Sequence, residues 1–362
     1  MSRIKVLHII NTLNSGGAER LIVDSFSYYN KFDIDVDLLV LKKSITPFIS
    51  ELKEKFDGNI YELSEGSLYS PMHMFRISKY AKKYDLLHVH LFPSLYWVVL
   101  TNLIFRCGNP IFYTEHSMTN RRRENFILKF FDKIIYKKIE FIGCISKGVY
   151  EGTVKYLDRR KGIGIINNGI DLNRFKYAKK SESMFFSGND FILIQVSSFR
   201  IQKDHETLVR SLILLPNSVK LLLVGDGPLK RKIHRLVREL KLEERVKFLG
   251  IRKDVPDLMT NANIVVLSSN YEGFGLSAVE GMATGRPVIV SNIKGLDEVA
   301  EEAGILFEKG NVKQLAKHIL RLKNDQSFYN EIAAKCSNRA ERYSIENMVK
   351  EYSEKYKDFF RI

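Results

Sequence analysis

The sequence predicts an α/β protein with two doubly wound parallel-sheet domains. Three observations carry that prediction. Apolar runs of strand length alternate with segments of helical length along the whole chain. The alternation stops at a polar stretch and then restarts. The chain has 362 residues, too long for one ordinary core and suited to two.

The first set of strands reads IKVLHII (4–10), DVDLLVL (35–41), LLHVH (86–90), IFYTEH (111–116), FIGCIS (141–146) and GIGIINNGI (162–170). Helical segments fall between them, among them Ala18–Tyr29, Met72–Tyr84 and Phe126–Lys138. The polar stretch KYAKKSESMFFSGND (176–190) reads as a linker. The second set is FILIQVSS (191–198), KLLLVGDG (220–227), VKFLG (246–250), IVVLSS (264–269) and PVIVS (287–291). The expected domains are residues 1–170, residues 171–340, and a last segment, 341–362, whose helix over Ile345–Phe360 crosses back to brace the first domain. Two such domains are expected to face each other across a cleft, with ligands beyond the carboxyl ends of the strands.

Composition narrows the class. Hydrophobic content of 45% and charged content of 27% suit a soluble globular protein. No window reaches the roughly 18 unbroken apolar residues of a membrane-spanning helix. The start, MSRIKVLHII, reads as a buried strand without a small-residue cleavage site, so no signal peptide is expected. Cys107, Cys144 and Cys336 are odd in number and widely spaced, which fits neither a disulfide framework nor a metal site and suits a reducing cytoplasm. The net charge of +15 is shared between residues 1–170 (25 basic, 17 acidic) and 171–362 (32 basic, 25 acidic). It favours an anionic partner.

The unusual residues gather at strand ends. Gly16-Gly17 precede a helix, so the backbone can approach a phosphate there. The dinucleotide fingerprint GxGxxG is absent, which argues against a dehydrogenase. Glu115 and His116 close the fourth strand. His88 and His90 share one face of theirs; with no third ligand at a convincing spacing, His88 is expected to pack and His90 stays open. Asp35-Val36-Asp37 mimics a metal-binding DxD but sits inside a strand rather than at its end. In the second half, Arg200 and Lys203 follow a strand directly and suit a diphosphate. Gly225, Gly227 and Pro228 form a tight strand-to-helix turn. In NYEGFGLSAVEGMATGRPVIVS (270–291), Glu272 lies on a loop, a helix starts near Gly275, and Glu280 lies about a turn and a half into it. Carboxylates accept hydrogen bonds only, and so suit sugar hydroxyls.

Those residues resemble a known family. EGFGLSAVEGMATGRPVIVS is similar to the E-x7-E signature of the retaining GT-B glycosyltransferases of family 4. GGAER, TEHS, CISKGV, INNGID, SFRIQKDHETLV and LLLVGDGPLK resemble that group in the same order, from Lys5 to about Phe307. The resemblance implies a GT-B fold of two Rossmann-like domains, the first binding acceptor and the second the nucleotide-sugar donor. It implies that Glu280 binds the ribose and Glu272 the donor sugar, with the backbone of Gly273, Phe274, Gly275 and Leu276 against sugar and diphosphate. It further implies that Arg200 and Lys203 neutralise the diphosphate, His116 flanks the transferred sugar, and Gly16 and Gly17 line the donor–acceptor junction. The Arg-Ile-Gln-Lys spacing is shorter than in many relatives. The expected activity is retaining transfer from a nucleotide sugar, UDP-linked in preference to GDP-linked, to a glycan or lipid-linked acceptor in cell-surface polysaccharide (capsule or exopolysaccharide) biosynthesis. No covalent nucleophile, cofactor, metal or nucleic-acid partner is expected. The rival expectations are a nucleotide-sugar epimerase, transfer to a small soluble acceptor, and a passive binding protein.

One segment stands apart. RRRENFILKFFDKIIYKKI (121–139) carries seven basic and two acidic side chains, with Phe126, Phe130, Phe131, Ile134 and Ile135 at helical spacing. It reads either as a basic amphipathic helix on an anionic inner membrane surface or as a core helix with snorkelling lysines. The expected location is the cytoplasm, with peripheral contact at that membrane.

Overall fold

The computed structural model describes residues 3–14, 16–44, 46–117, 126–179 and 185–361. The chain divides into two compact units. The first comprises Met1–Gly169 with Ile345–Ile362, and the second Ile170–Ser344.

The first unit is a seven-stranded parallel sheet. Its strands are β1 (Ile4–Ile10), β2 (Ile34–Val40), β3 (Ile60–Glu62), β4 (Leu86–His90), β5 (Ile111–Glu115), β6 (Phe141–Cys144) and β7 (Ile163–Ile165), in the order β3-β2-β1-β4-β5-β6-β7. Every pairing is parallel. β4 and β5 are buried at every position. That burial explains why they read as continuous apolar runs rather than alternating ones. β2 does alternate: Ile34, Val36 and Leu38 are buried while Asp35 and Asp37 are half-buried.

The closing helix, Ile345–Phe360, belongs to this unit. Ile345, Met348, Val349, Tyr352 and Tyr356 recur at helical spacing and are all buried in the first unit's core. The Tyr352 hydroxyl lies 2.8 Å from Thr114 Oγ1 on β5, and the Tyr356 hydroxyl bonds His88 Nδ1 on β4. Tyr356 also packs against Tyr29 and Phe112, with ring centroids at 6.4 and 5.4 Å. A segment from the far end of the sequence therefore completes both the apolar core and its polar pairing.

The second unit is a six-stranded parallel sheet of β8 (Phe191–Val196), β9 (Val219–Val224), β10 (Val246–Gly250), β11 (Ile264–Leu267), β12 (Val288–Ser291) and β13 (Ile305–Phe307), ordered β10-β9-β8-β11-β12-β13. In both sheets the strand order reverses at a central pair, β1/β4 and β8/β11. Such reversals are where open α/β sheets hold ligands. The helix Leu276–Ala283 presses onto β11 at Gly281, where a Cβ would come within 2.7 Å of Val265 Cβ.

Two differences from the sequence reading have simple causes. β3 and β13 have only three residues each, too few to show a period. The change of unit falls at Gly169/Ile170, within one residue of the expected 170/171 boundary, so the polar stretch 176–190 belongs to the second unit instead of linking the two; Ile170 pairs with Ser344 and the helix Leu172–Lys176 buries Phe175 there. Replacing Tyr356 by Ala should destabilise the first unit by about 3–5 kcal/mol, and by Phe about 1–2 kcal/mol. Urea unfolding of the two variants measures both the packing and the hydroxyl contribution.

Candidate active site

The candidate residues lie at or beside the two reversals, and each unit is described by itself. In the second unit, the loop after β8 is fastened to the loop after β11. Gln195, fully buried within β8, accepts at Oε1 from the Ser268 N–H (3.1 Å) and lies 2.9 Å from the Ser268 hydroxyl. That hydroxyl is also 2.6 Å from the Asp204 carbonyl, and the Asp204 N–H donates to Ser268 O at 3.0 Å. The Asn270 N–H donates to Gln202 O at 2.7 Å, and Lys203 bridges to Ser269. The Asp204 side chain caps the helix His205–Ser211 through the Thr207 N–H at 3.1 Å. His205 stacks on Phe199 at 4.1 Å and bonds Ser197 Oγ at 3.0 Å.

This frame brings Lys203 and Glu272 together. The Lys203 ammonium forms an ion pair with the Glu272 carboxylate, both side chains being less than one-fifth exposed. The sequence reading gave these residues separate tasks; the structure joins them. Arg200 is exposed, and its guanidinium has no ion-pair partner among the described residues. Gly275 caps the following helix with φ +92°, a left-handed conformation that favours glycine. Gly295 (φ +91°) lies against the backbone of Glu272 and Gly273; a Cβ there would meet Glu272 O at 2.6 Å. Phe274 turns its ring inward against Tyr343, at 5.2 Å, so only its backbone is offered to a ligand. Leu276 opens the helix and Glu280 lies half-buried in its second turn. Gly225 and Gly227 (φ +129° and +156°) back the loop, each within close reach of the Ser197–Phe199 backbone.

In the first unit, the helix Gly17–Ser25 follows β1, with Gly16 at its extended N-cap. A Cβ at Gly16 would meet only the mobile end of Glu19, so space alone does not demand glycine there. Asn11 ties the loop after β1 to the loop after β4: its Nδ2 donates to Phe92 O at 2.7 Å, and its Oδ1 accepts from Ser94. His116 directly follows β5. Its Nε2 is shielded from solvent and has no hydrogen-bond partner among the described residues, and burial lowers its pKa to about 4. Beside it, Glu115 accepts from the Tyr136 hydroxyl at 2.7 Å.

A histidine cluster underlies His116. His8 on β1 supplies the neighbour to His88 and His90 that spacing did not reveal, and their ring nitrogens lie within 4.8 Å of one another. The rings stack instead of converging, at 13° for His8–His90 and 25° for His88–His90. Lone pairs lie in the ring planes, so stacked rings do not aim at one ion. His8 Nδ1 bonds His90 Nε2 at 3.1 Å, and both nitrogens of His88 are engaged, by Tyr356 and by Thr114. His8 Nε2 and His90 Nδ1 are buried without a hydrogen-bond partner among the described residues. The DxD mimic is engaged: Asp35 pairs with Arg3 at 3.0 Å, and Asp37 accepts from the Asn59 N–H and the Tyr84 hydroxyl. Sequence reasoning missed Asn11, His8 and Gln195. The available signal was a polar residue within or just after an otherwise apolar strand.

Two family models lie side by side on the chain. Residues 15–174 match Glycosyltransferase Family 4, and residues 177–343 match Glycosyl transferases group 1. A UDP-Gal:alpha-D-GlcNAc-diphosphoundecaprenol alpha-1,3-galactosyltransferase of Escherichia coli is 25% identical over 93% of this chain and 92% of its own length. An N-acetyl-alpha-D-glucosaminyl L-malate synthase of Bacillus anthracis is 30% identical, over 61% of this chain and 60% of that enzyme. Among solved structures, Anabaena Alr3699/HepE in complex with UDP and glucose superposes with TM-score 0.87 at 22% identity, over 98% of this chain and 99% of that one. That likeness gives the GT-B fold. The chain belongs to the group 1, family 4 glycosyltransferases.

The histidine layer sets an acid limit on the first unit. Burial holds His8 at about 3, and His88 and His90 well below their ordinary value. All three are neutral when folded and take up protons near pH 6.5 when unfolded. Above pH 6.5 they are neutral in both states and the shift has no effect; as pH falls below 6.5 the unfolded state takes up protons that the folded state refuses, and stability is lost. The loss is about 1.4 kcal/mol per histidine per pH unit. Urea midpoints should change little from about pH 7.5 to 6.5 and fall steeply from about pH 6.5 to 5, less steeply in His8→Phe. Equal slopes in the two proteins would remove His8 from this account.

Proposed function

We propose that this glycosyltransferase is a retaining enzyme that transfers a sugar from a UDP-sugar to a lipid-linked glycan acceptor, in cell-surface polysaccharide assembly. The observation that carries the reading is the Lys203–Glu272 ion pair at the β8/β11 reversal. A carboxylate for sugar hydroxyls and a cation for phosphate are kept next to each other. With no donor bound, each neutralises the other. The donor diphosphate draws Lys203 away, with Arg200 as the second cation, and Glu272 is released to accept from the sugar hydroxyls. The free N–H groups at the start of the helix Leu276–Ala283 add positive potential for the diphosphate. Glu280 takes the ribose hydroxyls, as the family resemblance implies. Two relatives support the acceptor class: the Escherichia coli enzyme above and a Campylobacter jejuni N-acetylgalactosaminyltransferase, 25% identical over 92% of this chain and 94% of its own length, are both named for a diphospho-undecaprenol acceptor.

The chemistry follows from the charges. The bond between the anomeric carbon and the phosphate oxygen breaks, and UDP leaves carrying negative charge. Arg200 and Lys203 stabilise that charge, so the reading needs no metal. The acceptor oxygen bonds the anomeric carbon on the face that UDP leaves, and its proton passes to the departing phosphate oxygen. Configuration is kept without a covalent enzyme intermediate. With its pKa near 4, His116 meets the sugar as a neutral imidazole, able to accept or donate one hydrogen bond but not to supply a fixed charge.

Lys203→Ala should lower the transfer rate by about 10²–10³-fold, the effect expected when one preorganised charge stabiliser is lost. Glu272→Ala and His116→Ala should each lower it by orders of magnitude with the melting temperature retained. Transfer is measured as labelled sugar on an undecaprenyl-diphosphate glycan. Wild-type rates in the folded variants would overturn the site. Thermal shift against a panel of nucleotide sugars should single out a UDP-sugar. Sugar isomerised without an acceptor would make the enzyme an epimerase instead.

A further inference from the structure

The helix Phe126–Tyr136 turns its one carboxylate inward and its phenyl rings outward. Its buried side carries Asp132, Ile135 and Tyr136. Asp132 accepts from the hydroxyls of Tyr96 and, at 3.1 Å, Tyr156; Tyr136 donates to Glu115 beside His116. The outward side carries Phe126, Phe130, Phe131 and Ile134, exposed by 85, 61, 52 and 41%. The sequence left a core helix and a surface helix both open. The structure decides, because the inward side is filled by a carboxylate and two tyrosine hydroxyls that need each other.

Isolated exposed apolar residues are ordinary, but three phenyl rings and an isoleucine on one helical face form a contact surface. At 100° per residue, Phe126, Phe130, Ile134 and Phe131 span one arc, and Lys129 and Lys133 line its edge. Lys137 and Lys138 follow at the end of the helix, and all four lysines are exposed. The one acid in the helix, Asp132, is turned inward and hydrogen-bonded, so no carboxylate on the helix opposes the lysines at that face. Arg121, Arg122 and Arg123, part of the same basic segment, lie outside the described residues.

We propose that this face docks the enzyme on an anionic lipid bilayer, with the phenyl rings at the boundary of headgroups and acyl chains and the lysines among lipid phosphates. Charge complementarity selects the bilayer over a neutral protein surface. An apolar face edged by cations is what a helix lying in such an interface requires. The inner side of the same helix holds Glu115 next to His116, so the docked surface and the transfer site share one element. The inference deepens the reading of a lipid-linked acceptor and rests on it for its purpose, though not for its measurement.

The test uses the full chain and vesicles of phosphatidylcholine with or without phosphatidylglycerol. Wild type should sediment with the anionic vesicles and be released by salt. Phe126→Ser/Phe130→Ser/Phe131→Ser, and separately Lys129→Gln/Lys133→Gln/Lys137→Gln/Lys138→Gln, should each lower partitioning at least about tenfold. Melting temperature and thermal shift by the donor should stay unchanged, since none of these side chains is part of the donor site. Failure of wild type to bind anionic vesicles overturns the proposal, as does unchanged binding in both variants. A wild-type dimer that the triple serine variant converts to monomer, without vesicle binding, gives the face to a second copy and also overturns it. Transfer to a short-chain, water-soluble acceptor is scored in parallel. Its absence in wild type counts against the proposed function, and vesicle binding alone decides the docking surface.

Discussion

Parallel strands cannot be joined by a tight turn, and this constraint shapes every functional feature of the chain. Each strand must be followed by a crossover, and crossovers in a twisted sheet have one hand. Where the strand order reverses, at β1/β4 and at β8/β11, neighbouring loops diverge and leave the strand ends open. Lys203 and Glu272 lie on the loops at the second reversal, and His116 follows β5 beside the first. The first reversal is held by Asn11, which bridges the loops after β1 and β4. The second is held by Gln195 and Ser268, which fasten the loop of Lys203 to the strand that leads to Glu272. Both devices place one polar residue where an apolar strand would otherwise continue, and both use it to satisfy backbone and hydroxyl groups that the divergence exposes.

Charge in the second unit is arranged by the same frame. Two acids within the proposed anion site look contradictory until the pairing is seen. Glu272 neutralises Lys203, while Glu280 sits farther into the helix, half-buried. Glycine at 275 and 295 is required by left-handed backbone and by the close approach of the two loops, which sets the path of the chain around Glu272. In the first unit the corresponding layer is made of neutral histidines. Burial removes their charge, and tilted and edge-on contacts of His88 with Tyr352 and Tyr356 tie that layer to the closing helix.

Much of this was legible in the sequence because the signals were local. Long buried strands such as β1 and β4 announced themselves as apolar runs, and the closing helix by its spacing of Ile345, Met348, Val349, Tyr352 and Tyr356. Three-residue edge strands gave no period. The boundary expected at 170/171 lies one residue from the observed one, but the polar stretch 176–190 belongs to the second unit, because polarity does not mark where packing changes. His8 could not be grouped with His88 and His90 by spacing, since eighty residues separate strands that lie side by side.

The sequence by itself determined the alternation of strand and helix, the glycines at special backbone positions, and the signature that marks the family. These depend on neighbours within a few residues, where side-chain volume and backbone freedom act directly. Only the tertiary structure decided which charges meet and which faces stay open. Lys203 and Glu272 are 69 residues apart and pair because two loops are fastened by Gln195 and Ser268. The aromatic face of the helix Phe126–Tyr136 stays exposed because Asp132 finds Tyr96 and Tyr156, partners that no local pattern predicts. Long-range hydrogen bonds and ion pairs are set by packing, and periodicity carries no record of them.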